Sequence, residues 1–110
     1  MMTSINEITL VYNQLIESRH KGLVDSFIKK AIRYARLRVD WYQSDTPSRV
    51  QLDAERTRAH DAFIDACNIL SRNMIKIGEN AEWRLKLGNN RKDIGDFACM
   101  LHAVIGIKAR

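Results

Sequence analysis

The chain has 110 residues, 45% of them hydrophobic, with one proline, five glycines and a formal net charge of +5. That length suits one domain spanning residues 1–110, and the even composition excludes a disordered or low-complexity chain. No run of about 18 apolar residues occurs, so no membrane span is expected. The first ten residues lack the basic-then-apolar order of a secretory signal.

Ser4 followed by Glu7 is a capping-box pattern, and Ile5, Ile8, Tyr12 and Leu15 then mark one face of a first helix. Gly22 ends this stretch or follows its end closely. A second helix is expected over residues 23–42, with Val24, Phe27, Ile28, Ala31, Ala35, Val39 and Tyr42 on its inner side. Lys29, Arg33 and Arg36 fall on the opposite side, Lys30 lies beside them, and Asp40 continues the line.

Pro47 stops that helix and suits the first turn of the next, with Thr46 as the expected cap. Nothing breaks a helix between Pro47 and Ile77, and Gly78 stands where a C-terminal glycine belongs. A helix of about 30 residues is about 45 Å long. It should overhang the rest of its own chain. Its apolar arc takes about half the circumference, enough for two neighbours. Trp83 and Leu87, four apart in a short helix or turn, could plug one end of a bundle. Asn90 with Asp93 repeats the capping pattern before the stripe Ile94, Phe97, Ala98, Leu101, Val104 and Ile105. No segment alternates as a half-buried strand does. The expected fold is all-α, four or five helices in a bundle around one long helix over residues 47–77.

The long helix also carries Arg58, His60, Asp61, Asp65, Asn68 and Arg72. Asp61 and Asp65, one turn apart beside a histidine, could share a divalent cation. A metal-dependent hydrolase needs further ligands to close a shell, and the sequence has only His20 and His102 besides. The plainer interpretation is a solvated or interface-rim stripe of weak helix-surface pairs. His60 sits in the apolar arc, as a neutral core histidine does. Asn68 on its margin could hydrogen-bond across a helix contact and fix register.

The stretch "RTRAHDAFIDACNILSR" followed by "NRKDIGDFACMLHAVI" resembles a family of small helical bacterial proteins of unknown function, about 100 residues long. The resemblance rests on His60, Ala62, Ile64, Asn68, Leu70 and Arg72, then Arg91, Ile94, Gly95, Asp96, Phe97 and Ala98, in the C-terminal half. It implies an all-helical cytoplasmic protein and supplies no catalytic residues.

Gly-rich phosphate loops, nucleophile elbows and zinc-protease motifs are absent, so no catalytic residue, metal or cofactor is assigned. Gly95 lies inside the last helix, where a glycine costs about 1 kcal/mol against alanine; a close helix approach is the expected reason. Cys67 and Cys99 form no CxxC pair and read as free thiols of a reducing cytosol. Seven cations against one acid lie between Arg19 and Arg38, and Arg84, Lys86, Arg91 and Lys92 form a second loose cluster. Two functions of different class follow. One is a non-enzymatic cytoplasmic protein that forms a homodimer or other homo-oligomer, or docks a protein partner, on its helical faces. The other is a nucleic-acid-binding accessory protein using Lys29, Lys30, Arg33 and Arg36.

Overall fold

The computed structural model describes residues 4–88 and 90–108. They form four α-helices, α1 (Ile5–Glu17), α2 (Lys21–Gln43), α3 (Thr46–Lys76) and α4 (Arg91–Lys108), with a 3-10 helix at Glu82–Leu87 before α4. The fold is all-α, and no strand occurs among the described residues. No helix among them is long and apolar enough to cross a membrane.

Ser4 caps α1 as its spacing predicts, its hydroxyl accepting from the Glu7 amide at 3.2 Å. The helix stops earlier than expected, at Glu17, and Gly22 is the second residue of α2 with open space around it. What stops it is a tertiary tie. The buried Ser18 hydroxyl donates to Glu79 Oε1 at 2.6 Å, and the Arg19 amide donates to Glu79 Oε2 at 2.9 Å. Arg19 also donates to the Ile77 carbonyl, and the His20 ring lies 3.1 Å from the Asn73 carbonyl. One carboxylate thus joins the α1–α2 corner to the end of α3.

Those donors, the Ser18 hydroxyl first, hold the Glu79 carboxyl below the usual carboxylate range. A lowered folded-state pKa gives stability that is present above the unfolded value and lost as pH falls through the folded one. Glu79→Gln should therefore make the acid limb of a Tm-against-pH profile shallower. Ser18→Ala should lose about 1 kcal/mol at neutral pH. An acid limb that keeps its slope in Glu79→Gln contradicts the tie.

The cap of α3 is Asp45, whose carboxylate accepts from the Ser48 amide at 3.0 Å; Thr46 is the first helical residue instead. Either side chain could cap, but Asp45 sits three residues before that amide. At the other end Gly78 has φ +79, with its amide bonded to the Ile75 carbonyl and the Glu79 amide to Met74. This paired arrangement satisfies the last carbonyls and requires a left-handed residue, as the glycine's position predicts. Asn90 and Asp93 cap α4 reciprocally, at 2.8 Å in both directions.

α2 packs along α3 and against α4, and α1 packs on α4. Phe63 of α3 lies at the centre, wholly buried, with ring centroids 5.3 Å from Phe27, 6.1 Å from Tyr34 and 6.5 Å from Phe97. Trp83 and Leu87 are buried and close one end, Trp83 tilted on Phe27 at 5.3 Å. The α4 stripe is buried as its pattern predicts, with Ile105 on the margin. On α2 the outcome differs. Tyr34 and Leu37 are buried while Val39 and Tyr42 are exposed, because α4 meets this stretch through Arg38 rather than through an apolar residue.

At 31 residues α3 is about 46 Å long, matching the 47 Å long axis of a structure only 27 Å across. Its buried residues begin at Ala59. The first three turns therefore sit at the edge of the core, where only Leu52 packs against it in part, flanked by the last turns of α2. There Trp41 is covered by the guanidinium groups of Arg49 and Arg56, 4.7 and 4.0 Å from its ring centroid. Val50 and Tyr42 remain 72% and 58% exposed.

Candidate functional site

α3 turns its polar residues in two directions. Arg58, Asp61, Asp65 and Arg72 are exposed, while His60 and Asn68 are half-buried at the edge of the core. His60 Nδ1 lies 3.1 Å from Asp61 Oδ1, and its ring meets Tyr34 edge-on at 5.5 Å. Its Nε2 is buried with no polar partner among the described residues. Asn68 bridges elements: its side-chain oxygen accepts from Arg84 Nε of the 3-10 helix at 3.1 Å. Its carbonyl accepts from Ser71 Oγ and Arg72 Nε, each at 3.2 Å.

These six residues do not converge on a pocket. Among the described residues no three His, Cys, Asp or Glu side chains gather around one point. Asp65, Asn68, Ile69, Ser71 and Arg72 line an open groove of about 450 Å³. Beyond Ser71 a second groove of about 560 Å³ runs between the end of α3 and the 3-10 helix, beside Ile75 and Leu85. Leu85 is 81% exposed there.

The basic face occupies the outer side of α2. Lys29 pairs with Asp25 at 3.0 Å one turn away. Arg33 and Arg36 are exposed and Lys30 is half-buried, and none of the three has an ion pair among the described residues. α2 holds six Lys and Arg against two Asp, so most of the net charge sits on this one helix. The second cluster is dispersed into separate contacts. Arg84 donates to Asn68, Lys86 pairs with Glu7 at 3.1 Å, Arg91 donates to Thr57 and Lys92 pairs with Asp96 at 3.0 Å.

One polar centre escapes the sequence pattern. Arg38 of α2 reaches across to α4, where its Nη1 lies 2.8 Å from Asp96 Oδ1 and 3.9 Å from Cys99 Sγ. Its side chain is only 14% exposed. Burial works against charge on both partners. Hydrogen bonds from Lys92 and Arg38 nevertheless hold the Asp96 carboxyl below its usual range, and Asp96 holds the guanidinium above its own. The guanidinium lies over Gly95, where a Cβ would come within 2.8 Å of Nη1. The unusual glycine at 95 marks the place, but its partner is a charged side chain rather than a helix backbone. Of the thiols, Cys67 is wholly buried, which pushes its pKa up to about 12, and Cys99 is half-buried; both are free.

Comparison of the chain with protein-family models, curated proteins and solved structures gives no match.

Proposed function

We propose that this is a non-enzymatic cytoplasmic protein that works by self-association or by docking a protein partner on its helical faces. The reach of α3 supports this reading. The helix runs the 47 Å length of the molecule while its fully buried residues start only at Ala59, and Val50 in its first turns stays 72% exposed, so much of its outer surface is open to solvent. A helix whose sides are left unpacked gains by meeting another surface. The resemblance of the C-terminal half to small helical bacterial proteins belongs to the same proposal. Light scattering at tens of micromolar should return a mass above one chain. A mass equal to one chain contradicts the self-association arm.

The charge on α2 favours a second reading, an accessory protein that binds nucleic acid. Lys30, Arg33 and Arg36 lack ion-pair partners among the described residues, and together with Lys29 they present adjacent cations to solvent. Such a face binds phosphates without sequence preference and loses affinity as salt rises. Reversing Lys29, Arg33 and Arg36 to glutamate should abolish retention of DNA and RNA. Unchanged retention removes this reading.

A further inference from the structure

The face of α3 turned away from the core carries Arg58, Asp61, Asp65, Arg72 and Lys76, all exposed, with Ile69 in the middle and 41% exposed. Spacings of three and four residues set them in one line over five turns. Asp61 contacts its neighbour His60, and Arg72 donates to the Asn68 carbonyl. Among the described residues no ion pair engages Arg58, Asp65, Arg72 or Lys76.

The charges along this line are ordered. Both acids lie on the N-terminal side of Asn68 and Ile69, and Arg72 and Lys76 lie on the C-terminal side. Asp65 and Arg72 stand equally far from the midpoint between Asn68 and Ile69, and so do Asp61 and Lys76. A two-fold axis through that midpoint, normal to the helix, carries each acid onto the position of a cation.

We infer that this face is the contact of an antiparallel homodimer in which α3 lies along α3 of a second copy. The inference rests on the self-association reading and assigns its surface. Asp65 then faces the partner copy's Arg72 and Asp61 faces the partner copy's Lys76, each pair occurring twice because the contact is isologous. Arg58 lies over the C-terminal end of the partner copy's α3, where the helix dipole favours a cation. Ile69 of both copies meets beside the axis, against the groove lined by Asp65, Asn68, Ile69, Ser71 and Arg72. A parallel alignment sets acid on acid and cation on cation, so the charge order selects the antiparallel one. The two acids in the line also disfavour a polyanion as occupant. The strip, about 30 Å by about 10 Å, is small for a specific interface. Its exposed ion pairs are individually weak and screened by salt, so the dimer is weak and salt-sensitive.

Charge exchange between copies tests this. Sedimentation equilibrium at about 100 µM, where a Kd of about 10 µM leaves most chains paired, should give the wild type a two-chain mass in low salt. At about 0.5 M salt the mass should fall towards one chain. Asp65→Arg alone and Arg72→Asp alone should each raise the dissociation constant at least about tenfold, since like charges then face across the axis. An equimolar mixture of these two variants should recover the two-chain mass, because every reversed position meets an opposite charge on the other variant. The doubly reversed chain should also pair with itself. Recovery in the mixture shows in the same experiment that both variants are folded. If the wild type is a dimer and neither variant changes its mass, the contact lies elsewhere and self-association stands. A wild type of one-chain mass in low salt overturns both.

Discussion

Phe63→Ala is expected to cost about 3–5 kcal/mol, most of what a small domain has to lose. The reason is the position of the ring. It is wholly buried and touches rings from two other helices, Phe27 and Tyr34 on α2 and Phe97 on α4. Truncation removes the transfer energy of the benzyl group and leaves a cavity that stiff neighbouring rings close poorly. In urea the midpoint should fall steeply with little change in m. Ile69→Ala, on the exposed face of the same helix, should stay within about 0.5 kcal/mol in the monomer. A loss below about 1.5 kcal/mol for Phe63→Ala would place the centre of the core elsewhere.

Gly95→Ala should destabilise the protein when Arg38 is present and stabilise it when Arg38 is absent. In an open helix interior the change gains about 1 kcal/mol. Here the new methyl would come within 2.8 Å of the Arg38 guanidinium, which Asp96 holds in place at 2.8 Å. The side chain must move and its part-buried ion pair must weaken, so a net loss of about 1–2 kcal/mol is expected. Arg38→Ala alone should cost about 1–2 kcal/mol, from lost packing of the stem and from Asp96 left with the exposed Lys92 as its one cation among the described residues. Adding Gly95→Ala to that variant should return about 1 kcal/mol. Equilibrium unfolding of the four proteins gives the coupling energy directly. Additive effects contradict the account of Gly95 as the seat of a guanidinium.

Much of the fold was legible because helix periodicity and end signals agree. Pro47, Gly78 and the Asn90–Asp93 pair mark ends that the structure reproduces, and the α4 stripe is buried as spaced. The misses share one cause, long-range polar contacts that a local pattern does not carry. The end of α1 is set by Glu79, which lies 61 residues beyond Ser18. The inner line of α2 fails at Val39 and Tyr42 because Arg38 occupies the contact with α4 and makes its partner there, Asp96. Nothing near Arg38 in sequence separates it from the solvated Arg33 and Arg36. Only Gly95, costly where it stands, hinted that something large approaches α4.

The polar set on α3 shows the same limit at the candidate site. Helical spacing places Asp61, Asp65 and Arg72 on the outer side, and the structure keeps them there. Which members turn inward depends on neighbours from elsewhere in the chain. Asn68 is claimed by Arg84 from the 3-10 helix, and His60 by the ring of Tyr34. The charge order about the midpoint of Asn68 and Ile69 was present in the sequence, but it gains meaning only once that face is free of its own chain.

The reach of α3 requires one continuous helix from Thr46 to Lys76, including the turns that the core covers only in part. Residue-by-residue backbone chemical shifts, read with amide hydrogen exchange in high salt where the chain is single, test this most directly. Unbroken helical shifts are expected across Arg56 to Ala59, with slow exchange from Phe63 to Met74 and faster exchange before Ala59. Loss of helical shifts within residues 50–60, or slowest exchange in the first turns, would contradict that expectation.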